Sequence, residues 1–226
     1  MAKPNFTKYC KHTVFILTDD QRYNTIHALG NEEIITPNMD RLVRNGTAFT
    51  NAHIPGGTCG AVCMPSRAML NTGRTLFSLE GEGQNIPKEH KTLGETLRQN
   101  GYFAFGTGKW HNGPPAFTRS FNTGREIFFG GMWDHWNVPT NNYDPTGEYD
   151  NVINFVANPM YSNDITKVHC DKFNPGKHSS QLLADTTAQF IREYSGKKPF
   201  FVYTAFLGPM TLMNCRTLRR TAHIRK

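Results

Sequence analysis

The chain has no run of about eighteen apolar residues, which excludes a helix spanning a bilayer. Its first residues, Met1 to Lys11, are polar and lack the apolar stretch of a secretory signal. The expected location is therefore cytoplasmic, or periplasmic if residues precede Met1. Cysteine is sparse and unpaired: Cys10, Cys59, Cys63, Cys170 and Cys215 make an odd count. Cys59 and Cys63 miss the two-residue gap of a zinc knuckle, so neither a disulfide framework nor a zinc site is expected, and a reducing compartment fits. Acid is missing from the last eleven residues, where Arg216, Arg219, Arg220, Arg225 and Lys226 supply five of the seven net positive charges. The rest is nearly balanced, so basic charge outside the tail gives no reason to expect a nucleic-acid partner.

What remains is an ordinary globular composition, 38% hydrophobic and 19% charged in 226 residues, enough for one sizeable core. The stretch around which the chain is organised runs from Gly57 to Arg74. Gly57 and Gly60 suit a bending loop, and Pro65 suits the first turn of a helix. Met69 and Leu70 give that helix an apolar side, and Gly73 is its natural stop. Cys63 then lies at the helix N-terminus, where free N–H groups favour negative charge, with Arg67 one turn on. A reactive side chain, an anion-binding helix end and a guanidinium fork describe a site for a tetrahedral oxyanion.

Other segments place chemistry at strand ends. Val14-Phe15-Ile16-Leu17 reads as a buried strand running into Asp19-Asp20. Adjacent acids there are where an open α/β sheet puts ligands, and their oxygens suit Ca²⁺ or Mg²⁺. Thr36 to Gly46 reads as a structural helix with Met39, Leu42 and Val43 on its apolar side, and Thr47 to His53 as a strand. Thr92 to Gly101 reads as a second helix, and Tyr102 to Phe105 as a strand entering a loop, Gly106-Thr107-Gly108-Lys109-Trp110-His111. The glycine spacing there is wrong for a P-loop.

From Phe117 to Lys177 the composition suggests loops and short strands over an active-site mouth. Trp133, Trp136, Tyr143 and Tyr149 are candidates to stack on a sugar or aryl group; His135, His169 and Asp171 are candidates of low specificity. A helix is expected from His178 to Tyr194, with Leu182, Leu183, Ala184, Ala188, Phe190 and Ile191 buried. Phe200 to Phe206 reads as a central strand.

Cys63-x-Pro65-Ser66-Arg67 followed by Thr72-Gly73-Arg74 resembles the signature of the formylglycine-dependent sulfatases. Asp19-Asp20-Gln21-Arg22, the Thr36-Pro37-Asn38-x-Asp40 helix and Gly108-Lys109-x-His111 continue the likeness. The resemblance implies an α/β, alkaline phosphatase-like fold with a central, largely parallel sheet flanked by helices, truncated at its C-terminus. It implies a sulfuric ester hydrolase in which a maturase oxidises Cys63 to formylglycine (3-oxoalanine). Asp19, Asp20 and position 63 would bind calcium, with magnesium as the other choice; Arg67, Lys109 and His111 would complete the catalytic set. The substrate would be a sulfated small molecule or sugar; neither nucleic acid nor membrane is expected as a partner.

Two departures stand out. The family's loop after the last strand carries a histidine, where this chain has Leu207-Gly208-Pro209-Met210-Thr211-Leu212. Met-Thr-Leu codons read one base earlier after a C give His-Asp-Pro when the threonine codon ends in C, so residues 1–209 are expected to be an incomplete catalytic domain and 210–226 an out-of-frame tail. The residues leave two other readings open: a phosphonate monoester or phosphodiester hydrolase of the same superfamily, and an inactive, truncated relative that only binds.

Overall fold

The segment Phe200-Phe201-Val202-Tyr203-Thr204-Ala205 is buried at every position, as a strand covered on both faces must be. In the computed structural model, which describes residues 11–53, 62–79, 83–156 and 159–209, it lies inside a parallel sheet. In chain order the elements are β1 (Thr13–Leu17), α1 (Pro37–Asn45), α2 (Cys63–Thr72), α3 (Leu93–Gln99), β2 (Phe103–Lys109), α4 (Pro114–Ser120) and β3 (Thr123–Phe128). There follow β4 (Asn137–Thr140), β5 (Val152–Val156), β6 (Ile165–His169), β7 (Lys172–Pro175), α5 (Ser179–Glu193) and β8 (Phe200–Ala205). The sheet order is β1-β8-β2-β3, all parallel. The carboxyl ends of the four strands therefore open on one edge.

Alternation along β8 builds two cores. Phe201, Tyr203 and Ala205 face Trp110, Phe117 and Phe121, while Phe200 and Val202 join Phe105 against Phe190 and Tyr194 of the α5 side. Trp110 stands edge-on to Phe117, Phe121 and Tyr203. Gly106 has no side chain because a Cβ would sit 2.7 Å from the Phe117 ring. Helix α3 starts on a capping box: Thr92 Oγ1 accepts from the Glu95 N–H and the Glu95 carboxylate accepts from the Thr92 N–H.

Several expectations need correction. β1 is not buried: among the described residues only β8 pairs with it, and Val14 and Ile16 are 44% and 57% exposed. Residues 47–53 form no strand; they are exposed and find no sheet to join. Gly106 to Lys109 is strand, not loop, because β2 continues between β8 and β3 to Lys109. β3 belongs to the main sheet although its sequence, Thr-Gly-Arg-Glu-Ile-Phe, has no apolar run. Its buried Glu126 accepts from Thr140 Oγ1 and Lys172 Nζ, each at 2.6 Å. On α5, Thr186 and Thr187 are buried in place of Ala184 and Ile191; Thr187 shares a hydrogen bond with Thr204 at 2.7 Å. On α1 the inward residue is Asp40, and Leu42 is 66% exposed.

The remaining strands pair antiparallel, β4 with β7 and β5 with β6. Among the described residues no helix is long and apolar enough to cross a membrane. The expected tail from Met210 and the glycines at 57 and 60 lie outside the described residues.

Candidate active site

Cys63 is the first residue of α2, and Gly73 closes that helix in the left-handed region, its N–H donating to Met69 O at 2.7 Å. The helix turns Pro65, Arg67, Ala68 and Asn71 inward. Arg67 is 2% exposed; its guanidinium donates to Lys109 O at 2.5 Å and Phe206 O at 3.3 Å. One fork thus ties α2 to the ends of β2 and β8, the use for which a planar, multi-donor cation is suited.

β1 delivers Asp19 to the same place. Its N–H donates to Gly208 O at 3.1 Å, its carboxylate accepts from Lys109 Nζ, and Arg67 Nη2 stands 3.7 Å from the same oxygen. Asp19 and Lys109 are both buried, so the two cations offset the cost of taking this carboxylate out of water. Asp20 is exposed and held at φ 56, in the left-handed region.

β2 delivers His111, also in the left-handed region at φ 66. Its Nδ1 lies 3.5 Å from Cys63 Sγ. Burial, then the charges of Lys109 and Arg67, push the imidazole down to about 4, with Asp19 opposing. His111 is therefore uncharged near neutrality. Gly131, on the loop after β3, backs this ring: a Cβ there would stand 3.0 Å from its Cε1 and Nε2. Asn112 is wholly buried and donates to Met64 O at 3.0 Å and Gly83 O at 2.6 Å, holding the first turn of α2.

The structure thus brings together Asp19, Cys63, Arg67, Lys109 and His111, and sets Asp20 on the rim. A cavity of about 510 Å³ is lined by Asp19, Asp20, Gln21, Cys63, Ser66 and Arg67. Asp19 and Asp20 have the hard oxygen donors that calcium or magnesium takes. They amount to a share of a coordination shell: among the described residues no group of three His, Cys, Asp or Glu converges.

The weaker candidates separate. Tyr143 and Tyr149 are packing residues; Tyr143 donates to Thr118 O at 3.0 Å and Phe121 O at 3.1 Å, and Tyr149 is 7% exposed against Phe129. Trp133 packs with Phe155 and Phe173. Asp171 accepts from Asn142 N and Asn151 Nδ2, each at 2.7 Å. His53 and His169 are exposed, on an irregular segment and on β6. The sequence reading missed Gly131 and Asn112; the only signal for the latter is its place directly after His111.

Comparison with known proteins bears on this arrangement. The family profile described as Sulfatase matches residues 11–211. Human arylsulfatase A is 31% identical over 213 residues, 85% of this chain and 40% of that protein. Human arylsulfatase G is 30% identical over 230 residues, 90% of this chain and 40% of that protein. The N-acetylglucosamine-6-O-sulfatase of Bacteroides thetaiotaomicron is 25% identical over 199 residues, 83% of this chain and 28% of that protein. The solved structure of Ps i-CgsB with k-i-k-neocarrahexaose superposes with a TM-score of 0.63 at 25% identity, over 89% of this chain and 46% of that one. A protein solved with its substrate D-glucosamine-2-N,6-O-disulfate superposes with a TM-score of 0.65 at 21% identity, over 89% and 35% of the two chains. The chain spans about 40% of the length of arylsulfatases A and G. Its parallel sheet is that of the alkaline phosphatase-like fold, and the chain belongs to the sulfatase family.

Proposed function

We propose that the whole protein hydrolyses a sulfate monoester of a sugar, after a maturase has converted Cys63 to formylglycine. Asp19 and Asp20 hold part of the shell of a divalent cation. The observation that carries this reading is the meeting of Cys63, at a helix N-terminus, with His111 at 3.5 Å, beside Asp19, Arg67 and Lys109. The sugar half rests on the relatives, whose names and ligands include N-acetylglucosamine-6-O-sulfatase and a disulfated glucosamine.

The hydrated aldehyde would supply one hydroxyl to attack sulfur with departure of the protonated alcohol, and a second hydroxyl whose loss of a proton re-forms the carbonyl and expels sulfate, chemistry a thiol lacks. The cation supplies Lewis-acid stabilisation of the sulfuryl oxygens. This chain's own groups do the rest. Lys109, freed from Asp19 when the cation binds, and Arg67 put two positive charges where the sulfate group carries its negative charge. His111, uncharged near neutrality, accepts a proton at Nδ1 from a hydroxyl at position 63. The α2 N-terminus adds backbone N–H groups facing an anion.

The full-length protein, co-produced with a maturase, tests this. The peptide holding position 63 should weigh about 18 mass units less than its cysteine form, the difference between CH₂SH and CHO. The protein should turn over p-nitrophenyl sulfate faster than the matching aryl phosphodiester. An unconverted thiol in a maturase-containing host, with no turnover of either ester, would overturn the proposal.

A further inference from the structure

One imidazole near the site is not used by the chemistry above. His135 sits on the loop after β3, at the sheet edge that holds Asp19, Lys109 and His111, and four residues beyond the glycine that backs His111. It is anchored twice by one buried serine: Ser179 N–H donates to His135 O at 2.7 Å, and Ser179 Oγ lies 2.7 Å from His135 Nδ1. A tight turn reinforces this, with Asp134 Oδ1 accepting from Trp136 N at 3.0 Å. The ring stacks on His178 at 5.2 Å, and Trp136 stands edge-on to that histidine.

Ser179 begins α5, so its hydroxyl has no preceding helical carbonyl within its own helix to donate to. With Ser179 Oγ as donor to His135 Nδ1, the ring proton would stand on Nε2. Burial, and then His178, hold His135 below the ordinary histidine value, while Asp134, Lys109 and Asp19 also act on it. A neutral N–H donor, half-buried and within reach of the Lys109 and Asp19 charges, suits an uncharged oxygen better than a sulfate. Around it the rim is apolar and open, with Met132 56% and Trp136 43% exposed.

We infer that His135 is a substrate-contacting residue on the sugar side of the site, where Nε2–H, fixed by Ser179, donates to a hydroxyl or ring oxygen of the sulfated sugar. The inference rests on the sulfate-ester reading and adds the residue that reads the alcohol half.

The test is calorimetric binding to full-length protein carrying Cys63→Ala, which removes both turnover and dependence on maturation. The probes are N-acetylglucosamine 6-sulfate and inorganic sulfate. Adding His135→Ala is expected to weaken the sugar sulfate about tenfold, as loss of one neutral hydrogen bond does, and inorganic sulfate no more than about twofold. His135→Gln, which keeps an N–H donor, should recover the sugar sulfate to within about threefold. Equal loss of both probes, or loss of neither, overturns the inference and leaves the sulfate-ester reading standing. If the parent binds neither probe, that reading fails and the inference with it. Should His135→Ala not fold, Ser179→Ala carries the test: an about threefold weaker sugar sulfate supports the inference, and an unchanged one overturns it.

Discussion

Lys109 Nζ donates to the carboxylate of Asp19 across ninety residues of sequence, at a point where both side chains are buried. This pair joins the ends of β1 and β2, which are not neighbours in the sheet. It also sets the ammonium on the carboxylate proposed to hold a divalent cation.

Lys109→Met leaves Asp19 with the Arg67 guanidinium at 3.7 Å as its remaining charge partner in this pair of ion contacts. Breaking a buried pair from one side costs about 3 kcal/mol. The expected outcome is a lower urea midpoint, with much of the loss restored by calcium. In the unsubstituted protein calcium must displace an ammonium, so its effect on Tm should be smaller. Melting curves in calcium and in chelator compare the two; equal calcium shifts would argue against competition for Asp19.

Arg67→Lys keeps the charge and removes the fork. A single ammonium cannot reach Lys109 O and Phe206 O as the guanidinium does at 2.5 and 3.3 Å. One buried carbonyl loses its donor, at a cost of about 2 kcal/mol. Chemical denaturation should show that loss with an unchanged m-value, since no new surface is exposed. Turnover should fall further than stability does, because α2 carries position 63.

His111 gives a pH signature. The unfolded chain binds a proton at this residue near 6.5, and the folded chain only near about 4. Between those values the unfolded state holds more protons, so stability falls as pH drops from 6.5 towards 4 and is unaffected above. His111→Gln should flatten that part of the stability profile. Proton NMR of the ring, followed from pH 7 to 4, should show no titration step near 6.5; a midpoint there would contradict the buried, cation-flanked setting.

How much of this was legible depends on where the chemistry sits in the chain. Asp19-Asp20, Cys63 to Arg67 and Lys109-x-His111 carry their chemistry in consecutive residues, and each follows or opens a regular element, so pattern and structure agree. β8 was legible because a strand buried on both faces is written as an apolar run. β3 was not, because its Glu126 is satisfied by Thr140 and Lys172, partners 14 and 46 residues away. β1 misled in the other direction: an apolar run predicts burial, but among the described residues only one of its edges is paired. Gly131 was illegible for the same reason, and His135 stood out from the sequence only as a candidate of low specificity. What they touch, His111 and Ser179, is set by the sheet and the crossing of α5, not by local sequence.

Gly131 offers the narrowest test of the site geometry. It carries no positive φ, so alanine fits the backbone there, and the three atoms nearest the added methyl all belong to the His111 ring, with Cε1 and Nε2 at 3.0 Å. That spacing is tighter than ordinary van der Waals contact, so the ring must shift by a few tenths of an ångström. Nδ1, bonded to that Cε1 and itself 3.9 Å from the added methyl, is the atom that faces Cys63 Sγ at 3.5 Å. Gly131→Ala should therefore cost about 1 kcal/mol of stability or less, the low end for overpacking. It should reduce turnover by about tenfold, as small misplacements of a proton-transfer group do. The ring resonances of His111 should move while those of His135 stay. A variant with full turnover and an unmoved His111 signal would show that the loop yields instead, and that the glycine is not what holds the imidazole against position 63.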